Sequence, residues 1–167
     1  MIDSATATSE TQGHHDFDFL RGSWKVLSRK LENPLDPASD DWRQFTMLAR
    51  NEPILGGLGN IDRYHSSEFP GRPEFEAFAL RLFDPGAGVW RIWWASMWSG
   101  GQLDSPVVGR FTDGRGVFEC RDVLDGRGVH VRYEWLSAHG SPRWQQAFSF
   151  DDGRTWRENW YMEWRRA

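Results

Sequence analysis

Hydrophobic and polar residues alternate with a period of two along most of this chain, as strands with one buried face require. Phe75-Glu-Ala77-Phe-Ala79-Leu-Arg81-Leu-Phe83 and Trp90-Arg-Ile92-Trp-Trp94-Ala-Ser96 are two such runs. The runs recur at spacings of about 8–12 residues, with turn signals between them. They predict strands near 23–31, 42–52, 59–66, 74–84, 89–98, 107–113, 116–125, 128–137, 143–150 and 155–165. Helical periodicity is almost absent. One short helix is expected at Asp16–Arg21, stopped by Gly22.

Turn chemistry fixes how these strands connect. Asp113-Gly-Arg-Gly116 and Asp125-Gly-Arg-Gly128 read as tight hairpin turns, because Asp-Gly suits a positive φ. Ser149-Phe-Asp-Asp-Gly-Arg-Thr-Trp156 matches S-x-D-x-G-x-T-W, the Asp-box hairpin known from sialidase propellers among other folds. A propeller repeats its blade several times, and one box in 167 residues does not. A glycosidase is therefore not expected. Ten antiparallel strands in meander order, after one short N-terminal helix, predict an all-β, up-and-down barrel. Closure removes the exposed edges that an open sheet would keep.

Hairpin register then sorts the side chains. With the turns read as four residues long, Phe111 faces Phe118, Arg110 faces Glu119, Leu124 faces Val129, Cys120 faces Tyr133 and Phe118 faces Trp135. The charged set Arg110, Glu119, Arg121, His130, Arg132 and Glu134 forms one face, an ion-pair lattice suited to solvent. Phe111, Phe118, Cys120, Val131, Tyr133 and Trp135 then point inward. The same logic puts Ala77, Ala79, Arg81, Phe83, Trp90, Ile92, Trp94, Ser96 and Trp98 inside. Trp144, Gln146, Phe148, Trp156, Glu158, Trp160, Met162 and Trp164 join them. Trp24 is expected to close one end. The interior would thus hold Arg81, Asp122, Gln146 and Glu158 among large aromatics. Isolated buried polar groups are costly, so either a cavity with a polar-headed ligand or water, or an internal salt bridge among Arg81, Asp122 and Glu158, is expected.

Composition narrows the class. Tryptophan, at 11 residues, is several times its usual share, and there is a single Cys. One thiol excludes an internal disulfide framework and a Cys-based metal site. Residues 1–41 carry the whole net charge of −4, and the remainder is balanced, so nucleic acid is not an expected partner. The first thirteen residues are small and polar, lacking the basic start and apolar run of a signal peptide. They read as a flexible tail before one barrel domain at 14–167. A cytoplasmic location and no membrane association are expected.

Several segments carry a resemblance. His15-Asp-Phe-Asp-Phe-Leu-Arg-Gly-Ser-Trp24 resembles the opening of lipocalin-like (calycin) barrels, the class that includes fatty-acid-binding proteins, with Gly22-x-Trp24 starting the first strand. Ile54-Leu-Gly-Gly-Leu-Gly-Asn60, Leu80-Arg-Leu-Phe-Asp-Pro85, Trp90-Arg-Ile-Trp-Trp94, Val107-Val-Gly-Arg-Phe111 and Asn159-Trp-Tyr-Met162 are similar to a family of small bacterial proteins of unknown function. The resemblance covers about residues 15–166. It implies the same barrel and no agreed activity. Calycins in general bind small hydrophobic molecules inside the barrel, and a minority are isomerases, cyclases or hydratases.

The expected function is therefore binding of a small hydrophobic or aromatic molecule inside the barrel. Arg81, Trp94, Ser96, Asp122, Tyr133, Trp135, Gln146, Glu158, Trp160 and Met162 are the expected contacts. The alternative is a cofactor-free isomerase, cyclase or hydratase. There Asp122 and Glu158 would act as general acid and base, desolvated by Trp neighbours, and Arg81 would stabilise negative charge. No metal site is expected, since no histidine pair has zinc spacing. No cofactor is expected either; a haem on one of the histidines, as in nitrobindin-like barrels, is the lesser alternative. His15 is read as structural at the closed end, His65 as a rim residue of a portal loop at 66–73 or simply exposed, and His130 and His139 as solvated. Cys120 is read as an inert core thiol. Phe78, Leu80, Leu82 and Trp93 form an outward apolar patch, which predicts a homodimer.

Overall fold

The computed structural model of the chain describes residues 12–137 and 140–167. His139 and most of the N-terminal polar segment lie outside the described residues. Among the described residues, ten strands run in chain order: β1 (Gly22–Leu31), β2 (Trp42–Ile54), β3 (Gly59–Ser66), β4 (Phe75–Asp84), β5 (Val89–Ser96), β6 (Val107–Thr112), β7 (Arg115–Leu124), β8 (Arg127–Ser137), β9 (Arg143–Ser149) and β10 (Arg157–Arg166). Each pairs antiparallel with its sequence neighbours, and β1 pairs with β10, so the sheet is an all-β, up-and-down closed barrel. Short 3-10 turns at Gln12–His15 and Asp18–Leu20 precede it. No helix among the described residues is long and apolar enough to cross a membrane.

Both Asp-Gly hairpins are tighter than the sequence reading had them. Asp113 and Gly114 take φ of 50° and 78°, and Asp125 and Gly126 take 48° and 75°. Positive φ at both central residues makes a two-residue turn that matches the twist of the strands. Thr112 therefore pairs with Arg115, Gly109 with Phe118, Cys120 with Val131 and Phe118 with Tyr133. Every expected pair in these hairpins slips by two residues. A slip of two preserves the face of each side chain, so the inward set keeps its orientation.

One end of the barrel is plugged by the residues before β1. Phe17 enters edge-on to Trp90 and Phe111, at 5.0 and 5.1 Å between centroids, and also meets Phe118 and Trp135. Trp24 is buried at this end, as expected, and its Nε1 donates to the Leu20 carbonyl at 2.6 Å. His15 stays outside, paired with Asp18 at 2.8 Å. Gly109 is required where β6 meets β7, since a Cβ there would lie 1.8 Å from the Val117 carbonyl oxygen.

The other end, the mouth, is roofed by loops. Phe69 folds in from the β3–β4 loop onto Phe45, Phe75 and Trp98. The β1–β2 loop is held down by Arg127, which donates to the Leu35 carbonyl, and by Arg157, which donates to those of Asp36 and Ser39. The expected portal loop is thus folded over the opening, and His65 is exposed on the outer face.

Candidate functional site

Alternation on β3 turns Asn60, Asp62, Tyr64 and Ser66 inward, and all four are buried. Beside them, β4 contributes Arg81 and β2 contributes Asn51. These residues form a buried polar network under the plug. Arg81 donates to Asp62 at 2.7 Å and to the Asn60 side chain at 2.9 Å. Asp62 also accepts from the Tyr64 hydroxyl at 2.7 Å and from Asn51. Burial opposes the Arg81 charge, but Asp62 and Tyr64 together more than offset this and hold the guanidinium's pKa above its usual value. Burial and the adjacent Asp62 charge push the Tyr64 phenol well up, so it stays a hydrogen-bond donor. Arg81 also lies over the rings of Phe17 and Trp135, at 4.9 and 5.7 Å.

Next to this network lies an aromatic box. Trp160 stands edge-on to Trp94 at 5.4 Å and to Trp144 at 5.5 Å, and Tyr133 meets Trp144 at 5.0 Å. The Trp160 indole N–H donates to Ser28 at 2.8 Å, which fixes the ring. A cavity of about 20 Å³ remains between box and network, bounded by Arg81, Trp94, Tyr133, Trp135, Trp160 and Met162 among others. That is room for roughly one water. Trp94 and Tyr133 face inward and are only half-buried, bordering this space. Arg81 Nε has no partner among the described residues although it is buried.

Six of the ten expected contact residues therefore share one cavity. Gln146 is buried nearby and donates to Asn159 at 2.7 Å. The other three sit elsewhere. Ser96 ends its strand and hydrogen-bonds Ser99. Asp122 has inward parity but lies half-buried beside the Asp125-Gly126 turn, where it accepts from the Val123 amide at 2.7 Å. Glu158 is a correction: a β-bulge between Glu158 and Trp160 inserts Asn159 and reverses the parity of everything before it. Glu158 pairs with Ala147, Asn159 takes the interior place against Gln146, and Trp156 packs outside against His130 at 4.8 Å. The expected trio of Arg81, Asp122 and Glu158 is consequently not assembled. The salt bridge at Arg81 forms with Asp62 instead.

Other placements also differ. Trp98 lies beyond the end of β5 and is 40% exposed, against Phe69 and Phe75. Glu134 belongs to the outer face but is only 2% exposed, because Arg115, Arg132 and Gln145 cover it. Trp42 stacks on Tyr161 at 5.6 Å, with Arg29 over it. Phe78, Leu80, Leu82 and Trp93 share the outer face, each half-buried. Cys120 is half-buried, and burial and then Asp122 push its thiol up to about 11, which keeps it protonated.

One interior group carries no alternation signal of its own. Lys30 turns inward on β1, with its ammonium 4.1 Å over the Trp160 ring. Asp104 is exposed in the segment after β5, where its amide donates to the Trp94 carbonyl at 2.8 Å. Burial lowers the Lys30 pKa and raises that of Asp104. Among the described residues, no cluster of three or more His, Cys, Asp or Glu is placed to hold a metal ion. No protein-family model matches the chain, and no curated protein sequence matches it at a significant level.

Proposed function

We propose that this protein is a calycin-like barrel that binds a small, flat aromatic molecule in its interior. The observation that carries this reading is the cavity itself: it is lined by an aromatic box and by Arg81, whose buried Nε has no partner among the described residues. A ring stacked among Trp94, Trp144 and Trp160 would gain aromatic contacts, and a polar substituent would give Arg81 Nε its partner. The small size of the space favours a one-ring ligand, admitted by side-chain movement, over a long acyl chain. The Gly22-x-Trp24 start and the plug preceding β1 support the calycin assignment.

Titration of the intrinsic tryptophan fluorescence with indole, benzoate and decanoate tests the reading. Saturable quenching by the one-ring compounds is expected. Ala79→Leu, which fills the cavity from its wall, is expected to abolish quenching while the far-ultraviolet spectrum stays that of the parent. Quenching unchanged by Ala79→Leu, or no quenching by any of the three at millimolar concentration, overturns it.

A further inference from the structure

The chain uses arginine for eighteen of its twenty cationic side chains, and the two lysines are Lys25 and Lys30. Lys25 is exposed on the outer face, whereas Lys30 points into the barrel. The distinction is chemical. Arginine stays protonated in proteins, while a desolvated lysine releases its proton and becomes a nucleophile.

Lys30 sits in a built environment. Its cross-strand neighbours are Trp160 on β10 and Arg43 on β2. Its ammonium rests on the Trp160 face at 4.1 Å. A recess of about 110 Å³ opens beside it, lined by Phe69, Trp98, Arg43, Arg72 and Glu32 among others. Arg43 is held by Asp41 at 2.7 Å, and the Arg72 guanidinium lies 3.8 Å over Trp98. The charges that Lys30 feels come from Glu32, Asp104 and Arg72. Burial is the largest influence and lowers its pKa, which favours the neutral amine relative to an ordinary lysine.

We propose that Lys30 captures aromatic aldehydes and ketones as an imine, with the ring of the ligand held between the aromatic walls of the mouth recess. The amine nitrogen bonds to the carbonyl carbon, and the carbonyl π pair moves to oxygen. Nitrogen loses a proton and the oxygen gains one, giving a carbinolamine. Its hydroxyl is protonated and leaves as water while the nitrogen lone pair closes the C=N bond. A proton from solvent is taken up for the loss of water, and the resulting iminium returns one to water to leave the imine. No oxidant or reductant enters. Arg72, whose guanidinium lies over Trp98, favours a ligand that also carries an acid group.

The proposal extends the binding reading to the mouth of the same barrel and has its own readout. The intact protein is incubated at pH 7 with 4-formylbenzoate and sodium cyanoborohydride, and each modified lysine is quantified by peptide mass spectrometry. Lys30 is expected to be reduced to the secondary amine about tenfold faster than Lys25 for each unit by which its pKa is lowered. In urea the two rates are expected to converge. Lys30→Arg keeps the charge and is expected to lose that adduct alone. Equal labelling of Lys25 and Lys30 in the folded protein, or a Lys30 rate unchanged by urea, overturns the proposal; both hold for the parent protein even if Lys30→Arg fails to fold. Fluorescence quenching by 4-methylbenzoate, which has no carbonyl carbon to attack, reports the non-covalent reading separately.

Discussion

The Arg81–Asp62 pair offers a sharp energetic test. Both side chains are almost fully buried, at 4% and 2% exposure, and their closest atoms are 2.7 Å apart. Asp62→Leu leaves the Arg81 cation buried beside neutral partners, the Asn60 side chain first among them; Arg81→Met leaves the Asp62 anion with Asn51 and Tyr64. Breaking a buried pair on one side costs about 3–5 kcal/mol, because an uncompensated charge stays behind. For a chain of this size that lowers Tm by roughly 6–20 °C, at about 2–4 °C per kcal/mol. If the two sites were independent, the double variant would lose about 6–10 kcal/mol, the sum of the two singles. Removing both charges instead leaves only neutral groups unsatisfied, at about 1–3 kcal/mol each, so the double variant is expected to be no worse than either single. Urea unfolding followed by circular dichroism and by tryptophan emission, on all four proteins of the cycle, measures the coupling. Two-state behaviour is checked by coincidence of the two signals. A coupling energy under about 0.5 kcal/mol, or single variants within about 1 kcal/mol of the parent, refutes the reasoning.

Three further outcomes are expected. Gly109→Ala forces a Cβ onto the Val117 carbonyl oxygen, an immovable backbone atom; a loss of about 1–3 kcal/mol or more is expected, read by thermal unfolding. The Thr155 hydroxyl and amide, and then Ser149, hold the Asp151 carboxyl down at about 2 from an ordinary 3.8. A depressed folded pKa stabilises the fold above about pH 4 and the effect fades as pH falls through about 2, so Asp151→Asn is expected to flatten that stretch of the stability curve; a direct carboxyl titration by NMR checks the value. The half-buried outer row of Leu80 beside Trp93 supports a homodimer through Phe78, Leu80, Leu82 and Trp93, and light scattering is expected to give twice the chain mass at micromolar concentration and the chain mass for Leu80→Asp.

Much of the fold could be read in one dimension, and the reason shows in particular residues. On β4 every second residue from Phe75 to Phe83 is buried, as the alternation requires. The Asp-Gly pairs stop the strands where expected, and even the mistaken turn length slipped the pairing by two, leaving the faces unchanged. β3 was harder. Its inward Asn60, Asp62 and Ser66 and its outward Arg63 and His65 are polar alike, so alternation gives two faces without saying which is inside. That is why Asp62 was overlooked and Arg81 was assigned partners it does not meet.

Local patterning therefore determined the strands, their turns and most of the inward tryptophans, because a period of two and a positive-φ turn are properties of neighbouring residues. Only the tertiary structure decided which interior groups meet. One inserted residue, Asn159, turned Glu158 and Trp156 outward without any compositional mark. The register of β3 against β4 brought Arg81 to Asp62, and closure of the sheet brought Lys30 to Trp160 across the β1–β10 seam. The seam contact depends on barrel stagger, which sums over the whole chain and appears in no single segment of it.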